Sequence, residues 1–278
     1  MKLILHTCCA PDLTISHKIF NELNYEILTY FYNPNIDTKT EYELREFEVK
    51  KLNKIFCLNE IKEYYNRNDY YNIVQDSKNC EKCIRIRLEK TAEICLKNRI
   101  QNYSTTLLAS PRKSHELIKK IADEIDRKYN LNFIYVNLRK NNGVSKAAQM
   151  CRTYDIYRQK YCGCEYSKKE SENIEIKMRE KTFENINPLI KMDKEIFNSL
   201  YKKSLLKIPE DISFIKVKKN FFDIIYELKP LSILIKREIA SKYGINFSGR
   251  YKIKNWKAKI ILWWFGGIIN GTFQLKNT

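Results

Sequence analysis

The sequence is poor in the residues that loosen a chain. Of 278 residues, 7 are Gly and 6 are Pro, which excludes a collagen-like or low-complexity protein. It has no long apolar run. The longest, Ile260 to Phe273, is 14 residues, short of the roughly 20 that a spanning helix needs. No basic leader, apolar stretch and cleavage site follow Met1, which runs straight into Lys2-Leu3-Ile4-Leu5-His6. The expectation is therefore a soluble, cytoplasmic protein with no membrane partner. Histidine is scarce, at 3 residues: His6 ends an apolar run, His17 falls in a helical pattern and is expected to face solvent, and His115 stands at a helix start. No internal repeat is visible, and residues 186–278 contain no Cys.

What the sequence has is positive charge and cysteine. Lys and Arg number 51 against 33 Asp and Glu, a formal charge of +18 and a pI near 9.4. That balance suits a polyanionic partner such as nucleic acid. Richness in Lys, Asn, Ile and Tyr, all with AT-rich codons, is a second source of the same basicity. A hydrophobic share of 44% is enough for a core. There are 9 Cys. In a reducing compartment they are not a disulfide framework, and clustered cysteines there point to metal or redox chemistry.

The hydrophobic pattern alternates between strand and helix. Strands are expected at 2–6, 25–32, 103–109 and 132–136, with a short one at 55–58. Helices are expected over 40–53, 81–99, 114–129 and 143–155, and after Pro11 with Ile15, Ile19, Phe20 and Leu23 in phase. Ile84, Leu88, Ala92 and Cys95 share one face of the 81–99 helix. The alternation predicts an α/β fold with a mostly parallel, Rossmann-like sheet flanked by helices, followed by a C-terminal extension. In such sheets ligands sit beyond the carboxyl ends of the strands, where the first loop carries Cys8 and Cys9. We divide the chain into a catalytic domain at 1–167, a charged helix or linker at 168–185, and a small basic domain or extension at 186–278.

Six cysteines and one carboxylate form three short clusters. Cys8, Cys9 and Asp12 lie in a strand-to-helix loop. Cys80 and Cys83 make a C-x-x-C at a helix start, where the helix dipole favours thiolate. Cys162 and Cys164 make a C-x-C whose Gly163 lets the backbone turn. Thiolates suit zinc or an iron–sulfur cluster, and the number of donors exceeds the four of one tetrahedral zinc. Cys57, Cys95 and Cys151 read as plain buried cysteines, Cys57 within a strand. Arg158, Lys160 and Tyr161 flank the C-x-C, where cations stabilise thiolates or grip phosphates. Tyr161 suits proton donation or base stacking, and together with Tyr157 it equally suits packing of a helix end. Arg85 and Arg87 are expected to face RNA or solvent.

These segments resemble the QueH family of epoxyqueuosine reductases. The likeness is carried by HTCCAPD (6–12), YFYNPNI (30–36), Glu41, Tyr42 and Arg45, the C-x-x-C followed by R-x-R-L (80–88), TTLLASP (105–111) and YRQKYCGCEYS (157–167), in family order over about 1–167. The resemblance implies a cobalamin-independent oxidoreductase that converts epoxyqueuosine to queuosine at the wobble position of a tRNA. It implies a 4Fe-4S cluster with an adjacent iron ion, for which zinc is the alternative occupant in an aerobic preparation, and an external electron donor. The division we expect puts Cys8, Cys9, Cys80 and Cys83 on the cluster, and Asp12, Cys162 and Cys164 on the second metal. Asp12, Arg158 and Tyr161 are the expected catalytic residues. The implied fold is related to the PP-loop ATPases, but Cys-Cys-Ala-Pro-Asp replaces the phosphate loop S-G-G-x-D-S, so ATP is not expected. The rivals are a thiol–disulfide or heterodisulfide reductase, and a zinc-stabilised RNA-binding module without enzymatic activity.

The region beyond 185 lies outside those motifs. Lys252, Lys254, Lys257 and Lys259 interleave with Tyr251 and Trp256, a pattern that suits RNA contact. The reading preferred from sequence is an ordinary small domain with a Trp-rich core, including Trp263, Trp264 and Phe265. Its apolar patch equally suits a dimer interface.

Overall fold

Leu3, Ile4 and Leu5 are consecutive apolar residues without polar alternation, as in a strand buried on both faces. In the computed structural model, which describes residues 1–62, 64–74, 78–208, 210–213 and 218–263, all three are fully buried. They form the centre of a five-stranded sheet of order β3-β2-β1-β4-β5. Its strands are β1 (Lys2–His6), β2 (Glu26–Tyr30), β3 (Asn59–Ile61), β4 (Asn102–Thr105) and β5 (Asn132–Phe133). Every pairing is parallel. The connecting helices are α1 (Ala10–Glu22), α2 (Lys39–Ile55), α3 (Asn68–Val74), α4 (Cys80–Asn98), α5 (His115–Tyr129) and α6 (Gly143–Thr153). This is the predicted α/β fold. The chain order reverses between β1 and β4, so the crevice beyond their carboxyl ends is the topological switch point where such sheets bind ligands.

The helices follow the expected periodicity. Ile84, Leu88, Ala92 and Cys95 of α4 are all buried, and so are Ile15 and Phe20 of α1. Leu23 ends α1 as its cap and is exposed. Two strands differ clearly from expectation. The strand expected at 55–58 forms instead at 59–61, because α2 continues to Ile55 and a turn follows. Cys57 sits in that turn at φ +54° and is exposed, not buried in a strand. The strand expected at 103–109 stops at Thr105, where the Thr105 hydroxyl accepts the Leu107 N–H and starts a 3-10 turn, Thr106–Ala109.

The chain divides into two units, Met1–Ser171 and Glu172–Thr278. The charged stretch is helical, as α7 (Glu165–Ile190). The second unit continues with α8 (Lys194–Leu200), β6 (Leu205–Ile208), α9 (Phe221–Leu228), β7 (Ser232–Lys236), α10 (Arg237–Ser241), β8 (Gly249–Ile253) and β9 (Trp256–Trp263). Its sheet has the order β6-β7-β9-β8, parallel except for the β8–β9 hairpin. The core is built from Ile, Leu and Phe, including Phe221, Ile225, Ile233, Ile235 and Ile260. Among the described residues it is not the Trp-rich core expected, with Trp256 only partly buried against it; Trp264 and Phe265 lie outside the described residues. Among the described residues no helix is long and apolar enough to cross a membrane.

Candidate metal centre

The loop after β1 is short because α1 starts at once. Cys9 is the N-cap, in extended conformation, and Pro11 occupies the first turn, where its missing N–H has no cost. Asp12 completes that turn, and a carboxylate there is favoured by the helix dipole. The result is a tight set: the ligand atoms of Cys8, Cys9 and Asp12 all lie within 4.8 Å of one another. The Cys8 and Cys9 sulfurs are 3.7 Å apart, and Cys8 Sγ is 3.3 Å from Asp12 Oδ2. Thr106 fixes the loop from β4, accepting from the Cys8 N–H at 2.9 Å while its hydroxyl reaches the Cys8 sulfur at 3.1 Å. The hydrogen bond to Cys9, burial and the charge of Asp12 together hold the Cys8 thiol well above its ordinary pKa. Burial pushes Asp12 up to about 6, against hydrogen bonds from Cys8 and Cys9 and the charge of Arg158.

The C-x-x-C lies where the sequence placed it. Asn79 caps α4 by accepting the Lys82 N–H, so Cys80 and Cys83 occupy the first turn. Cys83 is buried and Cys80 half-buried. Arg87, one turn further along the same helix, is 1% exposed. Its Nε donates to the Cys83 carbonyl at 2.9 Å and its Nη2 to the Cys83 sulfur at 3.3 Å. The expectation that Arg87 faces RNA or solvent is therefore wrong. An i, i+4 spacing from a buried cysteine turned the guanidinium inward. Arg85 does lie at the surface, in ion pairs with Glu81 and Glu124.

The C-x-C is held by its backbone. Arg45, buried and braced by Glu41 at 2.7 Å, donates to the carbonyls of Cys162 at 2.9 Å and Tyr161 at 3.3 Å. Gly163 has φ +141°, and a Cβ there would lie 2.7 Å from Asn35 Nδ2. Its carbonyl accepts the Asp37 N–H at 2.8 Å. Asp37 also accepts from the Tyr161 hydroxyl at 2.6 Å. Burial and this Asp37 contact raise the Tyr161 pKa, so its proton is committed to Asp37. Burial and the charges of Cys164 and Cys83 raise the Tyr70 pKa.

Two cations draw the clusters together. Arg87 feels the charges of Cys83, Cys162, Cys8 and Cys164. Lys113, 9% exposed, feels those of Cys162, Cys80 and Cys83, with its Nζ 3.9 Å from the Cys80 sulfur. Burial opposes ionisation of Cys162, but Lys113 and Arg87 outweigh it and bring the thiol below its ordinary value. At Cys83 burial wins, pushing the thiol up to about 11. Five of the six thiols thus act on two buried cations, and Cys9 joins them through Cys8, with Asp12 beside both. Cys80, Cys83, Cys162 and Cys164 do not form a comparably tight triad. Cys95 and Cys151 are buried, as expected.

A cavity of about 220 Å³ opens beside the thiols. Cys8, Cys9, Asp12, Cys162 and Tyr161 form part of its wall, with Arg112, Lys113, Arg158 and Lys160 adding positive charge. Gln159 also lines it, and the Gln159 Oε1 is buried without a hydrogen-bond partner. His6 is not part of it. That ring is fully buried, its Nε2 donating to the Tyr32 carbonyl at 3.0 Å and its Nδ1 meeting the Thr105 hydroxyl at 2.8 Å. Burial and the charge of Arg87 push its pKa down to about 3, so it is a neutral packing residue. His115 is tied to the Leu108 carbonyl and the Tyr135 hydroxyl. His17 stacks on Phe56 at 4.1 Å instead of facing solvent.

Sequence reading missed the roles of Arg45, Arg87, Lys113 and Asp37. The available signal was helical spacing: Arg45 follows Glu41, and Arg87 follows Cys83, each by four residues.

Comparison with known proteins bears on this arrangement. A family profile described as "Epoxyqueuosine reductase QueH" matches residues 3–170. A protein of that name from Thermotoga maritima is 40% identical over 174 residues, covering 59% of this chain and 88% of that protein. Another from Streptococcus pyogenes serotype M1 is 31% identical over 183 residues, covering 60% and 70%. A solved structure described as "predicted subunit of tRNA methyltransferase" from Methanocaldococcus jannaschii is similar with a TM-score of 0.38 at 15% identity, covering 54% of this chain and 74% of that one. The cysteine-bearing unit, matched by the profile almost end to end, places the chain in the QueH family of epoxyqueuosine reductases.

Proposed function

We propose that the chain reduces epoxyqueuosine to queuosine in the wobble position of a tRNA, without cobalamin, in the cytoplasm, with electrons from an external donor. The observation that carries this reading is that five thiols act on two buried cations, with Cys9 and Asp12 against Cys8, beside a basic cavity. The donor set fits an iron–sulfur centre with an additional iron ion: it is soft, and it is larger than one tetrahedral zinc requires. Cys8, Cys9 and Asp12 would hold one end of that centre, and Cys80, Cys83, Cys162 and Cys164 the other. When bound, such a centre supplies single electrons and a Lewis acid for an epoxide oxygen.

The residues of the chain do the rest. Reduction of the epoxide to an alkene consumes two electrons and two protons and releases the oxygen as water. Asp12 lines the cavity next to the thiols, so it is the carboxylate placed either to ligate iron or to pass a proton to the leaving oxygen. Arg158, Lys160 and Arg112 at the cavity wall offer phosphate contacts for the anticodon. The Gln159 Oε1 is an acceptor awaiting a donor on the substrate. With its hydroxyl given to Asp37 at 2.6 Å, Tyr161 acts on this reading as a positioning residue of the cavity wall.

The test is metal and sulfide analysis of protein purified without oxygen, followed by turnover of epoxyqueuosine-containing tRNA. About four or five irons with acid-labile sulfide, and queuosine as product, are expected. Stoichiometric zinc without sulfide after anaerobic reconstitution would sink the redox mechanism and leave the zinc-stabilised RNA-binding module. Turnover of disulfides without tRNA affinity would favour the thiol–disulfide reductase. Asp12→Asn separates that residue's two roles: lost iron marks a ligand, and retained iron with lost activity marks a proton carrier. Full iron with full activity excludes both.

A further inference from the structure

The second unit carries an electrostatic conflict that its fold does not resolve. In the β8–β9 hairpin Arg250 is directly opposite Lys259, and Lys252 directly opposite Lys257. All four are exposed, while the alternating partners Ile253, Ala258 and Ile260 are buried in the core. Two like-charged cross-strand pairs therefore stand side by side on one face. Directly opposed residues have Cβ atoms only about 5 Å apart, and like charges there are destabilising. Among the described residues none of the four makes an ion pair. The nearby Lys254, in the hairpin turn, is neutralised by Asp223 at 2.9 Å, which shows what the other four lack. The surrounding sequence supplies no anion: residues 239–278 contain seven Lys or Arg and no Asp or Glu.

Exposed charge on an edge strand also guards against strand-to-strand aggregation. That role explains cations on β8, the edge. It does not explain Lys257 and Lys259 on the inner strand β9, where opposite charges would serve the fold better. The arrangement makes sense when the missing anion belongs to a partner. From it we infer that the face bearing Arg250, Lys252, Lys257 and Lys259 binds the phosphate backbone of the tRNA whose base the first unit reduces. This inference rests on the tRNA reading above. Contacts of this kind are independent of base sequence and release counterions, so they set affinity and its salt dependence and leave specificity to the cysteine-bearing unit.

The hairpin permits a test in which stability and binding move in opposite directions. The double variant Lys257→Glu with Lys259→Glu turns both like-charged pairs into opposite-charged pairs. The full-length, iron-loaded chain and the variant are titrated into a fluorescently labelled, unmodified tRNA transcript across a range of salt concentrations. We expect the variant to keep its iron and to melt no lower than the parent, while binding the transcript about tenfold more weakly or worse. The slope of log affinity against log salt should become shallower by about two, one for each lost phosphate contact. Equal affinity and equal slope for parent and variant would overturn the inference, as would a parent that binds no tRNA. Binding of the parent to anionic phospholipid vesicles but not to tRNA would overturn it in favour of a membrane surface. Failure of the reductase reading is distinguishable, because it appears in the parent as absent iron and sulfide or absent turnover, whatever the variant does.

Discussion

The two units of this chain use positive charge in opposite ways. In Met1–Ser171 the distinctive cations are buried: Arg45 donates to the backbone of the C-x-C, Arg87 to Cys83, and Lys113 stands against Cys80 and Cys162. In Glu172–Thr278 Arg250, Lys252, Lys257 and Lys259 are exposed in opposed pairs, with no ion pair among the described residues. A net charge of +18 conceals this difference. Burial makes a cation expensive unless it has a fixed anion, so each buried one marks where negative charge is expected. An exposed cation is nearly free of that cost, and its meaning depends on what approaches from solution. Basic composition alone, including its AT-rich component, separates neither case.

The comparison breaks most visibly at Arg87. Arg87→Met keeps the aliphatic stem and removes the charge among the thiols. Iron content and turnover should fall about 10–100-fold, the usual cost of losing a group that supports metal ligands. Iron analysis and steady-state assays check this, and unchanged iron would show that the thiols do not need the cation. Next in size is Gly163→Ala. It places a side chain at φ +141° and 2.7 Å from Asn35 Nδ2, and should cost about 2 kcal/mol or more by denaturant titration. An equal melting point in parent and variant would show that the loop has another path.

A smaller effect comes from pH. His6 has a folded pKa of about 3 against an ordinary 6.5, so between those values the unfolded chain binds the extra proton. Stability therefore rises with pH across that window and is lost as pH falls, by about 1.4 kcal/mol per unit at most. Urea titrations of the metal-free protein should show this slope, and His6→Gln should flatten it. Equal slopes would mean that the ring is already charged in the fold.

Much of the first unit was legible in sequence because its signals are local. Buried parallel strands read as apolar runs, and α4 shows its face through Ile84, Leu88, Ala92 and Cys95. The clusters were legible because a ligand needs a particular atom type at a loop position. What was hidden depends on distant pairing. Arg45 meets Cys162 across 117 positions, and no spacing reveals it. The placement of Asp12 beside Cys8 and Cys9 follows from a tight helix start. The second unit gave weaker signals. Its Lys-rich segment resolved into opposed pairs only when the hairpin register became known.

Arg45 has a further consequence for how the centre is filled. It grips the C-x-C through the carbonyls of Tyr161 and Cys162, not through either thiol. The path of that loop is therefore independent of what its sulfurs hold. Small zinc domains fold only as their metal arrives, whereas this loop has a hold on its main chain that calls on no sulfur.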